Sequence, residues 1–385
     1  MKFVFYTNLV SPHTVPLAEE LIKLFGSGLY IYQRHGGEPF RTSKTIENLG
    51  SNSLCEEDCP DRAMQVLKDA DILLSGVRDF DLMDERLRLG RLTIYQSERW
   101  FKPESLFSGG HSEERGGSIW IPGFWKMLLP FAIKRARRIT RLFKSPRFMY
   151  LPIGIHAAKD MARLCGLMNH DWSCLFKGPE LGFDQVPGGR FWLTQEKSES
   201  RYCLDRMRMW GYYVAAEKSI NTNRNNEAKK VKVLWVGRML RWKDVATLIR
   251  AVNGIECVEL NLIGDGPEKD RLHHLAAQCN NVHFHGMMPI VDVREWMRRS
   301  DVYVLSSNAF EGWGAVVNEA LEEGMKVIGT YEAGASATIL PEKNLFHAGD
   351  WKQLRTMLLA KIDAITIGPW TVSEAANAFA RMIQK

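Results

Sequence analysis

No stretch of the 385-residue sequence approaches the ~18 uncharged apolar residues of a membrane-spanning helix, which excludes an integral membrane protein built on helices. Cysteine is scarce as well. The seven present are unevenly spread and too few for a disulfide scaffold. Cys55 and Cys59 stand at C-x3-C spacing, but no second pair follows at ligand distance. The thiols therefore read as free in a reducing compartment rather than as a zinc site. The opening, Met1 to Tyr6, is a short strand and not an apolar segment with a cleavage site, which predicts a cytoplasmic chain. Hydrophobic residues at 45% and charged residues at 25% exclude wholesale disorder, and the length suits two domains.

Acidic residues are missing from one region. Between Glu114 and Asp160 there are none, while ten lysines and arginines fall there. With a net charge of only +6, the rest of the chain is mildly acidic. A cationic block on such a body points to an anionic surface or substrate.

What is present is a βαβα rhythm, predicting parallel sheets. In the first half, strands are expected at 2–7, 29–32, 71–75, 92–95 and 148–151, with a helix at 15–25. Residues 216–230 turn polar and Asn-rich, which marks a linker. Beyond it, five strands are expected at 231–236, 258–263, 282–285, 302–305 and 327–328, with crossover helices between them. The predicted organisation is a first domain over 1–215, the linker, a second domain over 231–369, and a C-terminal helix within 370–385. Two doubly wound domains imply a ligand cleft between them.

Chemistry concentrates at strand ends of the second half. Glu311 follows a strand, Gly312, Trp313 and Gly314 open a helix, and Glu319 is expected in its second turn, so two carboxylates stand where sugar hydroxyls could be bound. Gly237, Arg238 and Lys243 follow another strand, and the two cations could grip a diphosphate. Gly264-Asp265-Gly266 and His285-Gly286 end two more strands, although neither completes a dinucleotide or P-loop motif. Asp69-Ala70-Asp71 and Asp79-Phe80-Asp81 both read D-x-D, and helix capping explains the second.

In this order and spacing the motifs resemble the retaining glycosyltransferases of family 4, of the GT-B fold and the bacterial capsule and surface-polysaccharide type. The likeness covers most of 231–340. More loosely, it extends to Asn8-Leu9-Val10-Ser11-Pro12-His13 and Ser97-Glu98-Arg99. It implies an α/β protein of two Rossmann-like domains facing each other across a cleft, in which the second domain holds a UDP- or GDP-sugar and the first an acceptor glycan. By this resemblance Arg238 and Lys243 neutralise the departing diphosphate, Glu319 takes the ribose and Glu311 the transferred hexose. The backbone near Gly264 and His285 takes the base, and no metal or other cofactor is needed. Relatives carry a histidine after a strand of the first domain; Glu98, His13 and His156 are the candidates for that place here, with Asn8 and Ser11 as further acceptor contacts. A nucleotide-sugar 2-epimerase and a catalytically silent glycan-binding subunit are the rival functions.

The basic block then reads as an amphipathic helix from Pro130 to about Lys144. Ala132, Ala136, Ile139 and Phe143 line one face, Lys134, Arg135, Arg138 and Arg141 the other, and Trp120, Phe124 and Trp125 lie upstream. Such a helix suits an anionic membrane surface, where lipid-linked acceptors are met, and predicts a peripheral protein on the inner face of the cytoplasmic membrane. No recognition motif accompanies the charge, so nucleic acid is not an expected partner. Oligomeric state is not indicated.

Overall fold

The computed structural model describes residues 1–8, 10–11, 13–33, 47–100, 104–105, 120–121, 130–170, 183–186, 189–193, 206–213, 230–360 and 371–384. The strands, in chain order, are β1 (Phe3–Thr7), β2 (Gly28–Tyr32), β3 (Ser53–Cys55), β4 (Ile72–Ser75), β5 (Leu92–Ser97), β6 (Glu104–Ser105), β7 (Trp120–Ile121), β8 (Phe148–Pro152), β9 (Phe183–Val186), β10 (Gly189–Leu193), β11 (Val231–Val236), β12 (Val258–Ile263), β13 (Val282–Gly286), β14 (Val302–Leu305), β15 (Lys326–Thr330) and β16 (Leu345–Phe346). Two six-stranded parallel sheets result, ordered β3-β2-β1-β4-β5-β8 and β13-β12-β11-β14-β15-β16. Both are doubly wound, with a switch of direction beside the first strand of each sheet. The α/β class expected from the sequence is what the structure holds.

Strands β1, β4 and β14 are buried at every residue, as helices on both sheet faces demand. Hence their uninterrupted apolar runs were legible. The sixth strand of the second sheet, β16, and the edge strand β3 were not expected, because two or three residues carry no period to read.

The chain divides into two compact units, one of the N-terminal residues together with the C-terminal helix Val372–Ile383, the other of the residues that form β11 to β16. The β6–β7 pair, inside the range expected for the first domain, groups with the second unit. Most of the expected linker, 216–229, lies outside the described residues, as do Phe124 and Trp125. In the first unit the C-terminal helix is fixed by Thr371 and Glu374, which cap its start reciprocally. Its Phe379 packs on Phe3 at 5.9 Å, Trp210 at 6.0 Å and Phe25 at 6.3 Å between ring centroids.

The basic helix spans Pro130–Leu142 and buries Ala136, Ile139 and Leu142, with Phe143 just beyond it. Lys134, Arg135, Arg137 and Arg141 are exposed. Arg138 corrects the expected outward face: it bonds the Asp81 carboxylate and lies 5.3 Å over the Phe80 ring. Pairing with a carboxylate and covering an aromatic face hold it inward. The D-x-D carboxylates are likewise engaged locally. Asp79 caps the helix Phe80–Arg88 through Asp81 N and Leu82 N at 3.1 and 3.0 Å, and Asp71 binds Arg91 at 2.7 Å.

Arg86 reads as a surface residue in sequence yet is fully buried. Its guanidinium donates to the carbonyls of Leu67, Lys68, Ala70 and Leu92 and to the Thr93 hydroxyl. It thereby satisfies the otherwise orphaned C-terminal carbonyls of the helix Pro60–Asp69. Among the described residues no helix is long and apolar enough to cross a membrane.

Candidate functional site

In the first unit, the C-terminal ends of β1, β4 and β5 surround a cavity of about 460 Å³ at the switch point of the sheet, where open α/β sheets receive ligands. Hydroxyl, amide and charged groups of Thr7, Asn8, Arg78, Tyr95, Glu98 and Tyr212 line it. Glu98 accepts a 2.9 Å hydrogen bond from the Tyr212 hydroxyl, whose pKa is raised by burial first and by the Glu98 charge second. The His13 ring lies 5.7 Å from the Tyr212 ring.

Of the expected acceptor residues, Asn8 and Glu98 therefore stand on the wall, and His13 lies beside Tyr212. Ser11 turns to the start of the helix Val15–Phe25, its carbonyl accepting from Thr14 N at 3.0 Å and Val15 N at 3.1 Å. His156 sits in the first turn of the helix Ile155–Met168, off the cavity wall. Sequence reasoning missed Arg78, Tyr95 and Tyr212. Tyr212 arrives through residues 206–213, which lie parallel beside β8 through Tyr150–Met207 and Ile153–Trp210 bridges. The aromatic cluster Trp210-Gly211-Tyr212-Tyr213 was the signal available for it.

In the second unit, three strand ends are laced backbone to backbone. Gly237 N donates to Ile263 O at 3.0 Å, Gly264 N to Gly286 O at 2.8 Å, and Met239 N to Asp265 O at 2.8 Å. Gly264 has φ +132°, and a Cβ there would lie 1.8 Å from Gly237 O, so only glycine fits. The Asp265 carboxylate accepts from Lys269 Nζ and Gly266 N, both at 2.7 Å, and these bonds, that of Lys269 first, hold its pKa below the usual carboxylate range. Asp265 and Gly266 thus staple their own loop. The His285 ring is also engaged, 2.7 Å from Asn261 Oδ1 and 4.3 Å from the Trp296 ring; burial, ahead of the neighbouring His283, lowers its pKa.

Beside this lacework stand the charged groups. Arg238 is exposed, and among the described residues its side chain has no ion-pair partner. The Lys243 ammonium meets the Glu311 carboxylate and lies 4.5 Å over the Trp242 ring. Glu311 also accepts from the Ser307 hydroxyl at 2.8 Å. Ser306 Oγ to Lys243 O (2.7 Å) and Asn308 N to Trp242 O (2.9 Å) tie the two loops together, so this pairing is built by the backbone.

Two expectations for the Glu311 loop need correcting. The helix begins only at Val316 and has seven residues, so Gly312 and Gly314 precede it and Glu319 falls in its first turn. Trp313 is core: it is 1% exposed and its indole donates to Asn318 Oδ1 at 2.8 Å. Glu319 is mostly buried, and burial raises its pKa against the opposing pull of Arg294. Near both carboxylates lies Tyr303, fully buried, with a hydroxyl that finds no hydrogen-bond partner among the described residues.

These loops coincide with a recognisable segment. Residues 217–361 match the family described as "Glycosyl transferases group 1". Among curated proteins, this chain is similar to the lipopolysaccharide core biosynthesis glycosyltransferase LpsE of Rhizobium meliloti, 37% identical over 105 residues, 26% of this chain and 30% of that one. LpsD of the same organism is 34% identical over 93 residues, 22% and 26% of the two chains. The matches thus span less than a third of the length of these relatives. Among solved structures, Anabaena HepE in complex with UDP and glucose has a TM-score of 0.59 at 14% identity, covering 100% of both chains. The apo lipopolysaccharide outer core galactosyltransferase WaaB has a TM-score of 0.61 at 14% identity, again covering 100% of both. At such identities the likeness is one of GT-B fold. It extends beyond the group 1 segment to the whole chain.

Proposed function

We propose that this chain is a retaining glycosyltransferase moving a hexose-type sugar from a UDP- or GDP-sugar to a lipid-linked glycan acceptor in surface polysaccharide synthesis. The observation that carries this reading is the grouping, within the group 1 segment, of the exposed Arg238, the Lys243–Glu311 pair and the half-buried Glu319 at the strand ends. The names of the curated relatives support the pathway, and the UDP and glucose in the HepE complex support the donor class.

In this reading Arg238 and Lys243 hold the donor diphosphate, Glu319 accepts hydrogen bonds from the ribose and Glu311 from the hexose. The bond from the anomeric carbon to the diphosphate oxygen breaks as the acceptor oxygen bonds that carbon from the same face. The acceptor proton passes to the departing phosphate oxygen, and the two cations take up the charge left there. Because both are side chains, the donor site calls for no metal. The polar cavity of the first unit serves the acceptor, with Glu98 and Tyr212 on its wall.

Thermal unfolding with UDP, GDP and their sugar conjugates tests the donor site. A ligand at ~100 times its Kd stabilises by about 2.7 kcal/mol. The expected result is a shift with one nucleotide that survives a chelator and disappears in Arg238→Ala. No shift with any nucleotide leaves a silent binding subunit as the better description. The pH profile adds a second readout. The ionised Glu319 is the form that accepts from ribose, so the shift fades as pH falls through a pKa above the ordinary 4.5. For the free protein the sign is opposite. A raised native pKa means stability is lost as pH climbs, and Glu319→Gln is at least as stable at neutral pH while losing the nucleotide shift.

The exposed Lys134, Arg135, Arg137 and Arg141 suit an anionic bilayer surface, with the opposite face of their helix already buried in the unit. Sedimentation with anionic vesicles at low salt, reversed at high salt, is expected. A protein that stays in the supernatant at low salt defeats this part of the reading.

A further inference from the structure

Arg78 follows β4 and lines the cavity of the first unit. Nothing in the sequence pattern singled it out, yet it is held with care. Its Nε donates to the Tyr95 hydroxyl at 3.3 Å, and its guanidinium carbon lies 4.4 Å over the Trp100 ring. Trp100 is fixed in turn, its indole donating to Ser97 Oγ at 2.8 Å and its backbone N to the buried Asp160 at 3.1 Å. The ring contact and the Nε bond hold the guanidinium in place, and its terminal nitrogens have no acceptor among the described residues.

Neighbouring cations behave differently. Arg99 and Arg163 lie 3.5 and 3.9 Å from the carboxylate of Asp160, so a buried anion already answers them. Among the described residues Arg78 has no such partner. The other charged group on the cavity wall, Glu98, is engaged with Tyr212 rather than with Arg78. A fork-shaped cation, pre-oriented on an aromatic face and opening on a cavity of hydroxyls and amides, matches a planar or tetrahedral oxyanion carried by a polyhydroxylated ligand.

We infer that Arg78 recognises an acidic substituent, a carboxylate or a phosphate ester, on the acceptor sugar. This rests on the cavity being the acceptor site. The chemistry available to Arg78 is recognition and not proton transfer, because the guanidinium stays charged throughout and can only orient the acceptor or select it.

The test compares binding of glucose, glucuronic acid and glucose 6-phosphate to the full chain by calorimetry at millimolar concentrations. The Arg238→Ala variant is run alongside so that binding in the second unit is separated. The expected result is one of the acidic sugars binding about tenfold or more tightly than glucose, the fold-change typical of a charge-assisted hydrogen bond. Which acid wins identifies carboxylate or phosphate as the source. Arg78→Gln should abolish the preference, so that the acid and glucose bind the variant equally. Arg78→Lys, a point charge without the fork, should restore only part of the preference. The preference should persist in Arg238→Ala. Equal binding of all three sugars, no binding of any, or a preference that survives Arg78→Gln overturns the inference. UDP- or GDP-induced stabilisation measured on the same samples keeps the two questions apart: if it is present while the acid preference is absent, the transferase reading stands and this inference falls.

Discussion

Gly264→Ala should unfold well below the unsubstituted protein and lose all nucleotide-induced stabilisation. The added Cβ would fall 1.8 Å from Gly237 O and 2.9 Å from Gly237 C, both backbone atoms that no side-chain rotation can move aside. Adjustment must therefore separate the loops after β11 and β12, breaking the hydrogen bonds that run through Gly237, Gly264 and Gly286. Strain at φ +132° adds to the overpacking, for a combined cost of roughly 3 kcal/mol or more. Gly254→Ala is the matched control, since its φ is also positive, at +72°, but its surroundings are open. It should lose only about 1 kcal/mol and keep the nucleotide response. Thermal unfolding of the two variants with and without UDP decides the matter. If they are equally stable, the close approach of the two loops is not as described.

Lys243→Ala should lower turnover by about 10²–10³, the usual loss when a group that meets developing oxyanion charge is removed. It should also destabilise the free protein by about 2–4 kcal/mol, because the Glu311 carboxylate, 9% exposed, loses its cation and, among the described residues, keeps the Ser307 hydroxyl alone. The double variant Lys243→Ala/Glu311→Gln separates the two effects. Neutralising the orphaned carboxylate should recover much of the stability and none of the turnover. Were turnover to return with stability, Lys243 would serve only to neutralise Glu311, and the diphosphate role would pass to Arg238 alone.

How far the sequence could be read follows from what each element packs against. Central strands such as Val302–Leu305 are covered on both faces, so they appear as apolar runs that no surface helix shares. Edge strands β3 and β16 are too short to show a pattern. The group 1 loops stood out because glycines and charges crowd a few positions, but the pairing of Lys243 with Glu311, 68 residues apart in sequence, could not be read from them. Trp313 and Arg138 misled for opposite reasons. An indole beside two glycines reads as a ligand platform but is satisfied internally by Asn318. An arginine among arginines reads as solvated until Asp81 is seen across from it. The cavity of the first unit was legible only in part: Asn8 and Glu98 were expected there, whereas Arg78, Tyr95 and Tyr212 come from separated segments with an ordinary local sequence. Only the sheet topology brings them to one edge.

The docking of Phe379 against Phe3, Phe25 and Trp210 has a consequence for the order of events during synthesis. By the time residue 213 has left the ribosome, the first unit has its whole sheet but still lacks the helix that covers this aromatic face. The second unit must be translated in between, which at ~5–20 residues per second is on the order of 10–30 s. During that interval the nascent first unit carries an uncovered apolar surface, the kind that chaperones bind. The second unit needs no later segment to close its own sheet, so it can finish first although it begins later. The helix Val372–Ile383 then covers the aromatic face of the N-terminal unit only in chains translated through Ile383.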